Sequence, residues 1–203
     1  MHFSRLRGLA VLTCGGLGLL LMASAPAQAH HLMELTGLKP SPLNGLLSGL
    51  AHPVLGPDHL LFLLALALLG LQRPRHWVLG LLAVALLGSV AGLLWPGLPG
   101  AEVIVSLTLV LEALVLLQLA PVALLLPAMA LHGYVLSDTV LGWSTMPLGS
   151  YLLGLMLSQG GLLLMAMTLC RHGADTLSRR WRGLTALALI TLGSVLAVGQ
   201  ALS

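Results

Sequence analysis

The chain has 203 residues, of which 58% are hydrophobic and only 7% are charged, and its formal net charge is +3. A water-soluble domain normally carries about a quarter charged residues on its surface, so this composition excludes a soluble globular protein. The few basic residues lie in short clusters between apolar runs, which excludes nucleic acid as a partner. The length allows one membrane domain and leaves no room for a separate soluble domain.

The N-terminal segment has the parts of a secretory signal peptide. Arg5 and Arg7 form a basic start, residues 8–23 form an apolar core, and Ala27-Gln28-Ala29 is an A-x-A cleavage site. We therefore predict a cleaved signal peptide over residues 1–29. The alternative is an uncleaved first transmembrane helix, for which the apolar core is short.

Residues 30–203 are predicted to form a single membrane domain of six helices. Its six apolar runs are each long enough to cross a hydrocarbon core of about 30 Å. The sequence therefore predicts an all-α membrane protein, a bundle of six transmembrane helices after the signal peptide. The predicted spans are Leu43–Leu71, Trp77–Trp95, Ala101–Leu119, Val122–Val140, Leu148–Cys170 and Gly183–Leu202.

The distribution of basic residues predicts how the spans are oriented. Loops on one side carry six arginines, whereas the segments on the other side carry only Lys39. Since positive loops stay in the cytoplasm, both ends of the mature chain are expected on the periplasmic side of a bacterial inner membrane. The six arginines are Arg73, Arg75, Arg171, Arg179, Arg180 and Arg182.

Small residues recur within the spans at the spacing of one helical turn. These sets predict close packing between neighbouring helices, because small side chains let two backbones approach. They are Gly45 and Gly49, Gly88 and Gly92, and the series Ser150, Gly154 and Ser158.

The first predicted span is interrupted by the segment His52-Pro53-Val54-Leu55-Gly56-Pro57-Asp58-His59. Two prolines and a glycine break the hydrogen-bond ladder of a helix. From Pro57 to Leu71 a helix would extend only about 22 Å, which is too short to cross the membrane alone. Broken helices are tolerated where they line a cavity, and transporters place ion sites at them. We therefore predict a broken first helix with an ion site beside the break.

Further polar side chains lie within the predicted spans. Each has an ordinary explanation when taken alone: a buried histidine is usually a packing residue, and an acidic residue can cap a helix, face water or bond a neighbouring helix as a neutral acid. Together their imidazole and carboxylate groups favour a borderline divalent metal, and the scarcity of sulfur ligands disfavours copper(I). The predicted ligands within the spans are His52, Asp58, His59, His132, Glu112, Asp138 and Glu102.

Cleavage after Ala29 would create a second set of metal-binding groups at the new N-terminus. His30 would carry a free α-amine beside its imidazole, and His31 would follow directly. An amine, two imidazoles and an amide nitrogen can chelate nickel, cobalt or copper outside the membrane. The alternative is that both histidines are incidental residues of a tail.

The segment from His52 to His59 resembles the HPxxGxDH signature of the HupE/UreJ family of nickel and cobalt permeases. The similarity continues over nearly the whole chain, in the His-His pair after the signal peptide, in Glu102 after Leu98-Pro99, in His132-Gly133-Tyr134 and in TMPLGSYLLG at residues 145–154. One position departs from the family pattern: many members carry a second histidine four residues after the first in the fourth span, where this chain has Leu136.

The resemblance implies a permease that takes up a divalent transition metal, Ni²⁺ or Co²⁺, as its transported substrate and holds no permanent cofactor. It also implies that His52, Asp58, His59 and His132 lie at or near the metal path. The expected partners are the metal ion and the lipid bilayer, and the sequence gives no indication of an oligomeric state. One alternative is a metal-binding accessory or sensor subunit for metalloenzyme maturation. An enzyme such as a membrane-embedded zinc hydrolase is disfavoured, because no HExxH motif is present.

Overall fold

The computed structural model describes residues 39–71, 73–137, 140–142, 144–171 and 179–202. The predicted signal peptide, His30, His31 and Asp138 lie outside these residues. All regular structure in the described part is helical. The helices are α1 (Pro42–Leu55), α2 (Pro57–Gly70), α3 (Arg75–Leu94), α4 (Ala101–Leu116), a 3₁₀ turn (Val122–Leu124), α5 (Leu125–Leu136), α6 (Thr145–Arg171) and α7 (Arg179–Leu202).

Several of these helices are long and apolar enough to cross a membrane. In the described part they are α3, α6 and α7, and the bent pair of α1 and α2 makes a fourth if it is counted as one span. The apolar helix Val122–Leu136 is shorter, and the 16 residues of α4 extend about 24 Å. Large apolar side chains lie on the outside of the bundle, as Leu79 and Leu87 do with 67% and 68% exposed. For the described residues the predicted all-helical architecture is thus confirmed, with three or four helical segments that can cross a membrane, whereas the count of six spans stays a prediction.

Two helices end earlier than the hydropathy pattern predicts. The predicted third span reached Leu119, but α4 ends at Leu116 because Gln118 adopts a left-handed conformation with φ 63°. The amides of Gln118 and Leu119 then donate to the carbonyls of Val115 and Leu114, which is the hydrogen-bond pattern of a Schellman motif.

The predicted fourth span reached Val140, but α5 ends at Leu136. There the hydroxyl of Ser137 donates to the Tyr134 carbonyl at 2.6 Å, and the Ser137 amide donates to the same oxygen at 3.2 Å. In a continuing helix the Tyr134 carbonyl would instead accept the amide four residues further along. The serine side chain thus competes with the hydrogen bonds of the helix backbone.

The helices pack in three close pairs, α1 with α6, α3 with α5, and α4 with α7, and α2 contacts both α6 and α4. Between α1 and α6 the backbones touch: a Cβ added to Gly49 would overlap the Tyr151 carbonyl, and one added to Gly154 would overlap the Leu46 carbonyl. The Ser158 hydroxyl donates to the Leu50 carbonyl at 2.8 Å. The predicted packing roles of Gly49, Gly154 and Ser158 are confirmed, whereas Ser150 bonds to Met146 within its own helix.

The contact between α3 and α5 is equally close. A Cβ on Gly88 would overlap the Ala130 carbonyl, and a Cβ on Gly133 would overlap the Ala85 carbonyl. The Ser89 hydroxyl also donates to the Gly133 carbonyl at 2.9 Å. Gly133 follows His132 directly, so this contact fixes the position of that histidine's backbone in the bundle.

Candidate metal centre

The centre of the predicted site is the break between α1 and α2. The two helices meet at an angle of 74°. Gly56 lies between them in an extended conformation, and Pro57 begins α2. Pro53 lies inside α1, and the Gly56 amide still donates to the His52 carbonyl at 3.1 Å, so the helix continues past the first proline. The predicted break between His52 and His59 is therefore confirmed, with its bend at Gly56.

Four of the predicted ligands lie around this break, and all four are buried. His52 comes from the last turns of α1, Asp58 and His59 from the first turn of α2, and His132 from α5. The ring centroids of His52 and His59 are 6.0 Å apart, and those of His59 and His132 are 4.9 Å apart. Three helices thus bring three imidazoles and one carboxylate together within an apolar bundle. We call these four residues the histidine cluster.

The carboxylate of the histidine cluster is hydrogen bonded to its neighbour in sequence. Oδ1 of Asp58 lies 2.8 Å from Nδ1 of His59 and also accepts the His59 backbone amide at 2.9 Å. Asp58 occupies the second position of α2, where the helix dipole favours an acidic side chain. The same carboxylate oxygen therefore binds an amide of the first helical turn and the ring of His59.

Aromatic and polar side chains enclose the histidine cluster. The ring of Phe62 stacks on His132, with centroids 3.8 Å apart and an angle of 20° between the planes. A small cavity lies beside them with room for about one water molecule. Its wall includes His59, His132, Met129 and Gln159. Two rings of the histidine cluster therefore border the same small space.

The described residues contain no group of three or more histidine, cysteine or acidic side chains already arranged to hold a metal ion. In the histidine cluster the rings of His59 and His132 meet edge to face, and those of His52 and His59 are tilted by 34°. Ligation of an ion by several of these side chains therefore requires some of them to rotate.

The two glutamates of α4 lie at different distances from the histidine cluster. Glu102 is half-buried in the first turn, about 9 Å along the helix from Thr108. Glu112 is one turn beyond Thr108 in the opposite direction, on the same helix face. It is completely buried, and neither carboxyl oxygen has a hydrogen-bond partner among the described residues. Glu112 is thus the more unusual of the two acidic groups.

Sequence reasoning missed two hydroxyl groups that touch the histidine cluster. The Tyr151 hydroxyl on α6 lies 3.0 Å from Nδ1 of His52 and donates to the Leu136 carbonyl. The Thr108 hydroxyl on α4 lies 2.8 Å from Nε2 of His132. Tyr151 lies within the family-like segment TMPLGSYLLG, but Thr108 is a single threonine in an apolar run, which gives no signal by itself.

Comparison with known proteins identifies the family. The model of the HupE/UreJ family, described as HupE / UreJ protein, matches residues 18–198, which is most of the chain. Searches of curated proteins and of solved structures found no significant match. The family is associated with nickel and cobalt uptake or with the maturation of urease and hydrogenase, and its members are transporter-like permeases. The matched range includes the whole histidine cluster, and the chain belongs to the HupE/UreJ family.

Proposed function

We propose that this protein is a secondary permease that takes up Ni²⁺ or Co²⁺ across the bacterial inner membrane, and that the ion binds at the histidine cluster. The observation that carries the proposal is the convergence of His52, Asp58, His59 and His132 from three helices at a break inside an apolar bundle. Polar and charged groups at bilayer depth are costly and mark ion pathways. Imidazole and carboxylate donors suit a borderline divalent ion.

Binding at the cluster would replace ring-to-ring contacts by bonds to the ion. His59 and His132 already border one cavity, so rotation of their rings would present a nitrogen to an ion there. The carboxylate of Asp58 would offset part of the ion's charge through its bond to His59. Such carboxylate–imidazole pairs orient metal ligands in other proteins and raise their basicity.

Glu112 is proposed as the next group that the ion meets. It lies one helical turn from Thr108, whose hydroxyl touches His132, and it is completely buried in the apolar bundle. A carboxylate without a hydrogen-bond partner in such surroundings is stabilised by a cation beside it. Glu102, Asp138, His30 and His31 are proposed as weaker contacts nearer the periplasm.

The orientation follows the arginine distribution in the proposed six-span topology. Arg73 lies between α2 and α3, and Arg180 and Arg182 lie at the start of α7, all at ends proposed to face the cytoplasm. The histidine cluster would then lie toward the periplasm and the apolar core toward the cytoplasm. Signal-peptide cleavage after Ala29 and a periplasmic C-terminus complete the proposed arrangement.

The proposal is tested by metal uptake into vesicles that contain the purified protein, compared across nickel, cobalt, zinc and manganese. We expect uptake of nickel or cobalt, and we expect its loss in His52→Ala, Asp58→Ala and His59→Ala protein that is still inserted in the membrane. His76→Ala, at the exposed start of α3, is the control and should transport normally.

Two results would contradict the proposal in different ways. Full uptake by the Asp58→Ala protein would remove the histidine cluster as the binding site. Metal binding by the wild-type protein without any uptake would instead identify an accessory or sensor subunit.

A further inference from the structure

Each of the two hydroxyl groups that touch the histidine cluster is compatible with only one tautomer of the histidine ring that it contacts. We infer that Tyr151 and Thr108 are positioning residues, which determine the ring nitrogen that His52 and His132 offer to the transported ion. The inference rests on the proposed function, because it assigns these hydroxyls a role at the same site. Neutral imidazole has one protonated nitrogen and one nitrogen with a lone pair, and only the second can bind a metal.

The contact with Tyr151 determines the tautomer of His52. Its hydroxyl has a single proton, and the Leu136 carbonyl that it contacts can only accept, so the proton lies toward Leu136. The phenolic oxygen must then accept from Nδ1 of His52, at 3.0 Å. His52 is therefore protonated at Nδ1 and has its lone pair at Nε2.

Thr108 acts in the same way on His132, but on the opposite nitrogen. Its hydroxyl donates to the Val105 carbonyl at 2.6 Å, so its oxygen accepts from Nε2 of His132 at 2.8 Å. The lone pair of His132 is consequently at Nδ1. The structure thus predicts unlike tautomers for two histidines of one cluster.

The tautomer of the third imidazole, that of His59, is determined by an acidic group. The Asp58 carboxylate accepts from Nδ1 of His59 at 2.8 Å, which puts the lone pair of His59 at Nε2. In each ring one nitrogen donates a hydrogen bond to a neighbouring side chain. The other nitrogen has the lone pair with which the ring can bind an ion. Since the three partners come from α6, α4 and α2, the binding-competent set of nitrogens depends on all three helices being in place.

The tautomers can be measured without any metal. Protein with ¹⁵N-labelled histidine rings is prepared in detergent, and the signals of His52 and His132 are identified among those of the other histidines by their loss in His52→Ala and His132→Ala. We expect a protonated Nδ1 for His52 and a protonated Nε2 for His132. Tyr151→Phe should disturb the first signal only, and Thr108→Val the second only. The opposite tautomers, or signals unchanged by these substitutions, would overturn the inference.

The consequence for the ion is measured by Co²⁺ binding to the same purified protein, followed by its visible absorption. Tyr151→Phe and Thr108→Val should each weaken binding by about 10–100-fold, the usual effect of removing a group that orients a metal ligand. Thr108→Ser retains the hydroxyl and should bind as the wild type does.

Two substitutions that remove a hydroxyl elsewhere are the controls, and neither should alter Co²⁺ affinity. The Tyr134 hydroxyl donates to the Trp95 carbonyl and accepts from the Leu98 amide, so Tyr134→Phe matches Tyr151→Phe as the loss of a hydroxyl that is bonded to backbone. The Thr168 hydroxyl donates to the Leu164 carbonyl within α6, so Thr168→Val matches Thr108→Val. Normal Co²⁺ affinity in Tyr151→Phe and Thr108→Val protein would overturn the inference alone. A wild-type protein that binds neither Co²⁺ nor Ni²⁺ would overturn the proposed function and this inference together.

Discussion

Oδ1 of Asp58 accepts two hydrogen bonds from His59, one from its backbone amide and one from its ring nitrogen Nδ1. The two residues are adjacent in the chain, and the first turn of α2 brings their side chains together in a buried position. The bond joins the carboxylate to a ring that borders the cavity beside the histidine cluster. The Asp58 carboxylate thus both carries the negative charge beside the cavity and orients the ring of His59.

This relationship predicts the effect of removing the charge while keeping the shape. Asp58→Asn retains the volume and can still bond His59, but it no longer offsets the charge of a divalent ion. We expect nickel or cobalt uptake to fall about 10–100-fold, as when other ligand-orienting carboxylates are changed. Uptake rates measured at equal amounts of inserted protein check this. Normal uptake by Asp58→Asn would mean that the carboxylate serves only as a helix cap.

Glu112 provides a test of the path beyond the histidine cluster. Glu112→Gln keeps the side-chain volume but removes a carboxylate that has no hydrogen-bond partner in the described part of the chain. We expect the maximal uptake rate to fall about tenfold or more, equivalent to about 1.4 kcal/mol or more on the barrier, with the KM for metal little changed. Initial rates over a range of metal concentrations separate the two quantities.

Ser106→Ala is the matched control for Glu112. Ser106 lies on the same helix, is also completely buried, and its hydroxyl also lacks a partner in the part that the structure describes. Its loss should leave both kinetic constants unchanged. Equal behaviour of the two variants would make Glu112 a packing residue.

The close helix contacts predict which glycines can accept a methyl group. Gly49→Ala and Gly133→Ala would each press a Cβ into a backbone carbonyl of the facing helix. We expect each to destabilise the protein by about 1–3 kcal/mol, the usual cost of overpacking. Gly80→Ala and Gly149→Ala meet no atom within 4 Å and should melt at or slightly above the wild-type temperature. Thermal unfolding in detergent distinguishes the two classes, and a melting temperature unchanged in Gly49→Ala would contradict the packing of α1 on α6.

The predicted N-terminus provides a test that is independent of the bundle. Mass spectrometry of the purified protein should show a chain beginning at His30. The double substitution His30→Ala/His31→Ala should then weaken uptake mainly at low external metal, because these residues would capture the ion without being part of the path. A chain that begins at Met1, or unchanged uptake at limiting metal, would remove the capture hypothesis.

The sequence predicted the parts of the fold that depend on local chemistry. Prolines and a glycine between His52 and His59 predicted the break, and the spacing of Gly45, Gly49, Gly88 and Gly92 predicted helix contacts that the structure confirms. It did not predict where α4 and α5 end. Hydropathy continues through Gln118 and Ser137, but the α4 backbone turns at Gln118 and the Ser137 hydroxyl and amide both bond to the Tyr134 carbonyl, where the helices end.

The candidate site was predictable only in part for a similar reason. The histidines and Asp58 are visible as polar residues in apolar runs, and the family signature groups three of them. Tyr151 and Thr108 became apparent only when α6 and α4 were placed beside α1 and α5, because their contacts join residues 99 and 24 positions apart. Pairing of helices across such distances has no signal in one sequence.

The bend at Gly56 also has a consequence for how the histidine cluster could be dismantled. His52 and His59 are seven residues apart, and in a straight helix they would lie on one face, separated by about 10 Å along the axis. The bend of 74° brings their ring centroids to 6.0 Å. The distance between these two metal-donor rings therefore depends on the backbone angle at Gly56. A change of that angle would assemble or separate the pair without altering either side chain.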